Sequence, residues 1–445
     1  MRGAQVLAIA ICALLGTVQA LAQPLVDPEL ERVIAAIRAI DHHAHPFRCV
    51  APGEPPDDES DQIPADGFGP WTPPPGLDPA QLDLHAAWQA LYDLPATAGE
   101  ADVLAAKQRA QREHGDGYAG WVLDRAGIET MFANRIALGR CLTPPRFLWV
   151  SFADALIFPL NNASFHRENS DVDVSVRGAE KLLGRYLREA HVEKLPRDLG
   201  GYLKLVVTPT LERQRREGAV AVKFEAAYIR PLAFADVPEA EVREVYAKYV
   251  RGAEPPSIDY RKLQDFLFHF VAREAGRLGM AVHIHVLGIG AGSFYSGRWS
   301  DPWLLEPLFN EPALRATKLV FVHGGWPASE TVAALLLKPN AYADFSAMTF
   351  LLPPDGLARV LRDWLALAPE KVLFGTDTFG MTPSAGWEEL AWLETRTARR
   401  ALGIALSGML RDGEIDRARA EQLARMVLRE NAARLYRLPS SAASE

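Results

Sequence analysis

The sequence predicts an α/β protein, most simply a (β/α)8 barrel of the TIM type with a long insertion after its first strand. Three observations carry that expectation. Eight short apolar runs recur along the chain, helical patterns lie between them, and most runs end in a polar residue with useful chemistry. A doubly wound open sheet is the alternative that the same alternation allows. The chain has 445 residues, of which 49% are hydrophobic, enough for a large core.

The elements follow in order. Met1-Arg2, the apolar stretch VLAIAICALLGTV and the ending Ala20-Leu21-Ala22 have the layout of a cleaved secretory signal over residues 1–22. The apolar part is short for a membrane anchor, the alternative for this segment. Cys12 lies inside it, away from the cleavage point that a lipoprotein would use. The expectation is an exported chain, periplasmic or secreted, with no membrane attachment after cleavage. Residues 28–40 carry helical periodicity with an acidic start and run into the first strand, AIDHHAH. Residues 50–82 are rich in Pro, Gly and Asp without apolar periodicity and read as a surface insertion, taken in all as about 48–118. The other runs are IETMFANR (128–135), RFLWVSFADAL (146–156), AVAVKFEAAY (219–228), MAVHIHV (280–286), LVFVHGG (319–325), AYADFSA (341–347) and KVLFGTD (371–377). Helical patterns such as 259–279 and 355–370 separate them. The expected barrel spans 23–439, and 440–445 form a small polar tail.

The net charge of −8 argues against a nucleic-acid partner. A small-molecule substrate is expected, with homo-oligomerisation open. Of three cysteines, Cys49 and Cys141 survive signal removal. Each follows a strand end, so they share a rim. An oxidising compartment permits a bridge, although two free thiols is the slightly favoured reading.

The candidate site comes from strand geometry. Side chains at i and i+2 share a face, so His43 and His45 project together while His42 points away and packs behind. His283 and His285 repeat the pair. His323 and Asp377 end their runs, and Lys223 sits near the end of another. In a barrel these ends meet at one mouth. Singly, each has an ordinary explanation: a hydrogen-bonded core histidine, an aspartate N-cap, a lysine in a buried ion pair. Jointly they suit a divalent metal, Zn first, with Mn, Fe or Ni open. The glycine-rich GIGAG (288–292) lacks fingerprint spacing and opens no clear helix.

In these motifs the sequence resembles the amidohydrolase superfamily, in particular the amidohydrolase-related group that includes nodulin/FluG-type N-terminal domains. IDHHAHP resembles the family's D-x-H-x-H first strand, VHIH its fifth-strand histidine motif, FVHGGWP its sixth-strand segment and VLFGTD its eighth. VKFEAAYIRPL is similar to the K-x-x-x-A-Y-R segment of that branch, with Ile229 between Tyr228 and Arg230, and RENAARLYRL (429–438) to the closing helix. The resemblance implies metal ligands at His43, His45, His285 and Asp377. His323 would be a further ligand or would polarise the substrate. Lys223 would bridge two ions if carbamylated, so one or two ions are expected. His283 would support the ligands from behind.

The implied reaction is hydrolysis of an amide, lactam or ester. A divalent ion lowers the pKa of a bound water from about 16 towards 7, Asp377 shuttles the proton, and His323 or the ion stabilises the oxyanion. Arg230 or Arg135 could hold a substrate carboxylate, and Tyr228 and Trp326 are further candidates to line the substrate. A lyase or decarboxylase of the same superfamily, and a non-catalytic metal-binding protein, are the competing readings.

Overall fold

The computed structural model describes residues 25–438, apart from 52, 64–67, 69 and 71. The signal at 1–22 and the tail at 440–445 therefore lie outside the described residues. Among them, no helix is long and apolar enough to cross a membrane.

Eight parallel strands pair in sequence order: β1 (Ala39–Ala44), β2 (Ile128–Asn134), β3 (Phe147–Phe152), β4 (Ala219–Phe224), β5 (Ala281–His285), β6 (Leu319–Val322), β7 (Ala341–Asp344) and β8 (Val372–Leu373). Three backbone hydrogen bonds close β8 and its extension onto β1. His42 N donates to Phe374 O (2.8 Å), Asp377 N to His43 O (2.7 Å) and His45 N to Thr378 O (2.7 Å). This is a (β/α)8 barrel, not an open sheet. The strands stop short of the apolar runs at their carboxyl ends because the chain there turns into loops. Among the residues in those turns, His323 (φ +69°), Ala347 (+59°) and Asp377 (+66°) sit in the left-handed region, a cost that clusters at functional sites.

The helices bury one stripe each. α1 (Pro28–Ala36) starts on Asp27, whose carboxylate accepts from Glu29 N and Leu30 N, with proline at the first turn. It buries Leu30 and Ile34, one turn apart, and ends four residues before the periodic stretch does, because β1 has already begun. Between β1 and β2, residues 45–127 include α2 (Glu100–His114) and α3 (Tyr118–Ala126). Further along come α4 (Ser170–Glu189), α5 (Ser257–Arg277), α6 (Pro354–Leu367) and α7 (Trp387–Arg411). On α6, Leu357, Leu361, Trp364 and Leu365 are buried at helical spacing.

Inside the barrel, Ile40, Phe132, Val150, Ala221, Ala281, Val320 and Leu373 form a floor, with Tyr342 of β7 packed half-buried against it. The short closing helix α8 (Asn431–Tyr436) plugs it with Ala432 and Tyr436. Asn431 Nδ2 ties α8 to the strand end through Val372 O (2.8 Å) and Pro369 O (2.7 Å).

One irregularity matters for the site. Asp41 pairs with Met131 but Ala44 pairs with Ala133, three steps of β1 against two of β2. This bulge resets which residues face inwards. Ile40 and His42 point inside before it, and His43 and His45 after it. His42 therefore does not point away from the barrel, as strict alternation had it.

Cys49 and Cys141 form a disulfide, with Cα atoms 5.7 Å apart, so the favoured free thiols are corrected. The bridge pins the start of the insertion to the loop after β2.

Candidate metal centre

The mouth of the barrel gathers side chains from β1, β4, β5, β6 and β8. His43 Nε2 lies 3.1 Å from Asp377 Oδ1, and His45 Nε2 lies 3.6 Å from the same oxygen. Lys223 Nζ is 3.4 Å from His43 Nε2. The His323 ring sits 4.9 Å from that of His43 and 4.7 Å from that of His285. These residues are buried, apart from the partly open Asp377 carboxylate. Asp41 braces the pairing of β1 with the extension of β8: it accepts from Thr376 N (3.0 Å), Thr376 Oγ1 (2.6 Å) and His43 N (3.2 Å).

The donor set fits a divalent cation. His43 Nδ1 and His285 Nε2 are buried without a hydrogen-bond partner, a costly state for polar atoms. His43, His45 and Asp377 can each turn a ligand atom to one point. Burial, reinforced by the Lys223 charge, holds His43 and His285 well below the ordinary histidine range, so both rings are neutral at neutral pH. Burial lifts the Asp377 carboxyl to about 7 against the pull of His45 and Lys223. A bound cation would favour its charged form and bring it down.

The insertion supplies residues that sequence reasoning missed. Its segment around Asp57–Ile63 folds over the mouth, so this part is not mere surface. Asp61 Oδ2 comes within 2.9 Å of His45 Nδ1, outside hydrogen-bonding direction. Burial is the largest influence and lowers His45, but Asp61 and Asp377 together more than offset it and the net shift is upward. Gln62 Nε2 donates to Asp154 (2.6 Å) and Glu225 (3.2 Å), and Glu225 also faces Lys223 at 3.4 Å. Burial, with the nearby Asp61 charge, raises Glu225 to about 8. The signal available in the sequence was the acidic run DDESD at 57–61, which reads as solvated until a partner is known.

The other candidates divide. Tyr228 reaches the centre, its ring 4.9 Å from that of His285. Trp326 packs partly against the core, and its carbonyl accepts from Gly288 N. His283 lies one layer down, its Nε2 2.6 Å from the Tyr436 hydroxyl. Arg230 and Arg135 are not free for a substrate carboxylate. Arg230 is buried against α5, bonded to Asp265 (2.6 Å) and Gln264 (3.0 Å). Arg135 is clamped on Asp57 (2.7 and 2.9 Å) and the Pro46 carbonyl (2.7 Å). Both arginines hold the scaffold. A cavity of about 700 Å³, bordered by His45, Phe47, Asp61, Arg185 and Phe379, opens beside the centre.

The family profile described as Amidohydrolase matches residues 211–438, just over half of the chain. No curated protein matches significantly. Among solved structures, a Lactobacillus casei ATCC 334 protein designated a metal-dependent hydrolase is similar at 15% identity and TM-score 0.55, over 92% of this chain and 97% of that one. Uronate isomerase from Thermotoga maritima is similar at 13% identity and TM-score 0.56 (93% and 98%). Glucuronate isomerase from Caulobacter crescentus is similar at 13% and 0.55 (95% and 98%). At such identities the likeness is one of fold.

Proposed function

Since the chain belongs to the amidohydrolase family, we propose that it is a divalent-metal-dependent hydrolase of small molecules, cleaving an amide, lactam or ester bond. The observation that carries this reading is the convergence of His43, His45 and Asp377 at the barrel mouth. His285 adds a fourth donor, and Lys223, His285 and His323 are the residues that would hold a second ion if Lys223 is carbamylated. Imidazole and carboxylate donors favour Zn. When bound, the ion supplies an acidified water and a Lewis-acidic contact. Asp377 is the carboxylate that would take up a proton at the centre and return it to the leaving group. Tyr228 and the roof segment with Asp61 shape the space around the substrate, and the 700 Å³ cavity suits a small ligand. The VKFEAAYIRPL segment supports a nodulin/FluG-type relationship. The residue 1–22 pattern, together with the Cys49–Cys141 bridge, supports export to an oxidising compartment.

Two of the similar folds are sugar-acid isomerases, so the deciding experiment must separate reaction types. Candidate amides, lactams and esters are incubated in isotopically labelled water with Zn-loaded protein. Label entering a cleaved product supports hydrolysis. Release of carbon dioxide, or product of unchanged mass, refutes it.

A further inference from the structure

We propose that Asp344 and Ser346 are positioning residues that fix the tautomer of His323, with the hydrogen on Nδ1 and the electron pair on Nε2. The geometry stands by itself; its functional meaning rests on the proposed metal centre. Asp344 ends β7, fully buried. Its Oδ1 accepts from His323 N (2.9 Å) and Ser346 N (3.0 Å). Ser346 Oγ lies 2.5 Å from the same oxygen. Two backbone N–H groups already point at Oδ1, so the hydroxyl must donate to it too. A serine hydroxyl has one proton to give. Towards His323 Nδ1, 2.9 Å away, Ser346 Oγ can therefore only accept, and Nδ1 carries the hydrogen. A neutral imidazole has one N–H, which leaves the lone pair on Nε2.

The other carboxylate oxygen orders a second arm. Asp344 Oδ2 sits 3.0 Å from His42 Nδ1. With that nitrogen donating, His42 Nε2 accepts the Tyr436 hydroxyl at 2.6 Å, and Tyr436 Oη accepts from His283 Nε2 at 2.6 Å. One carboxylate thus sets the protons of a chain from the plug helix α8 to the mouth. For the reaction, neutral His323 then offers an electron pair only at Nε2 and an N–H only at Nδ1, the nitrogen that also lies 3.7 Å from Asp377 Oδ2.

The test is a long-range ¹H–¹⁵N spectrum of histidine-labelled protein, with the His323 signals identified by His323→Asn. In chelator-treated wild type, His323 is expected as the Nδ1–H form, with Nε2 pyridine-like. An Nε2–H ring in wild type overturns the proposal. Ser346→Ala removes the acceptor, so His323 should move to a mixed or Nε2–H population; a ring that keeps Nδ1–H alone overturns the role of Ser346. Asp344→Asn should also invert His42, because the amide N–H then faces its Nδ1. If that variant does not fold, Ser346→Ala carries the test. Zn²⁺ is then added to the same wild-type sample. Failure to shift the His43 or His45 signals would sink the metal reading while leaving the tautomer result in place.

Discussion

The barrel interior holds two layers of histidines, and they are built in opposite ways. In the lower layer, both ring nitrogens of His42 are bonded, to Asp344 and Tyr436, and His283 Nε2 shares the same hydroxyl. In the upper layer, His43 Nδ1, His45 Nδ1 and His285 Nε2 have no hydrogen-bond partner, although these rings are nearly as buried; in the lower layer His283 Nδ1 is left without one. The VHIH motif gives one residue to each layer. Burying an imidazole costs about the same in either place. The lower layer offsets most of that cost within the fold; the upper layer offsets less of it. Partner satisfaction, more than burial or spacing, distinguishes the two layers, three unpartnered ring nitrogens above against one below.

The largest expected effect is in the upper layer. Asp377→Asn keeps the shape and a weak ligand oxygen but removes the base. Turnover should fall by about 10²–10⁴, while bound metal, measured on the same preparation, falls much less. Near wild-type turnover would reduce Asp377 to a backbone role and remove the functional half of the comparison.

Next comes the pair from one motif. His285→Ala should weaken Zn²⁺ binding by at least roughly 10–100-fold with little change in the stability of metal-free protein, because it deletes an unpartnered donor. His283→Ala should do the reverse: metal binding holds, and stability drops by about 2–3 kcal/mol as the Tyr436 hydroxyl loses a partner. Chelator competition and denaturant unfolding on both variants read this crossing. The same profile in both would erase the distinction between the layers. Within the lower layer, Tyr436→Phe fills the same volume and removes two hydrogen bonds, so a smaller loss of about 1–2 kcal/mol is expected, again with metal binding intact.

Much of this was legible in the sequence. The eight apolar runs mark eight strands, and period-two spacing places His43 with His45 and His283 with His285. Two things were hidden, for physical reasons. Alternation assumes a regular strand, and the one-residue bulge in β1 turns His42 inside without any local signal. Partners distant in the chain were also invisible. Arg135 finds Asp57 and Arg230 finds Asp265 only through the fold, which turned two expected substrate anchors into scaffold. Asp61 and Gln62 reach the centre from a segment whose composition reads as solvent-exposed. Cys49 and Cys141 likewise meet across 92 residues.

The smallest effect is a slope. Burial, with neighbouring His42 and Lys223 adding to it, holds His283 well below the usual 6.5, and burial acts first on His43, His285 and His323 too. The unfolded chain binds these protons near pH 6.5, while the folded chain binds them only at lower pH. Between those points the unfolded state carries more protons, so stability is full above about pH 6.5 and falls as the pH drops below it, by up to about 1.4 kcal/mol per pH unit for each such ring. His45 works in the opposite sense, because its net shift is upward; its contribution is full below 6.5 and is lost as the pH rises through its folded value. Unfolding free energies between pH 5 and 8 should therefore show a slope from which His283→Gln removes one ring's share. That share should be the same in chelated and Zn-loaded protein, since His283 bonds to Tyr436 and not to an ion. The share of His285 should change on Zn²⁺ loading, because protons then compete with the metal for it. Equal Zn²⁺ dependence of the two shares would mean that the layers are not functionally distinct.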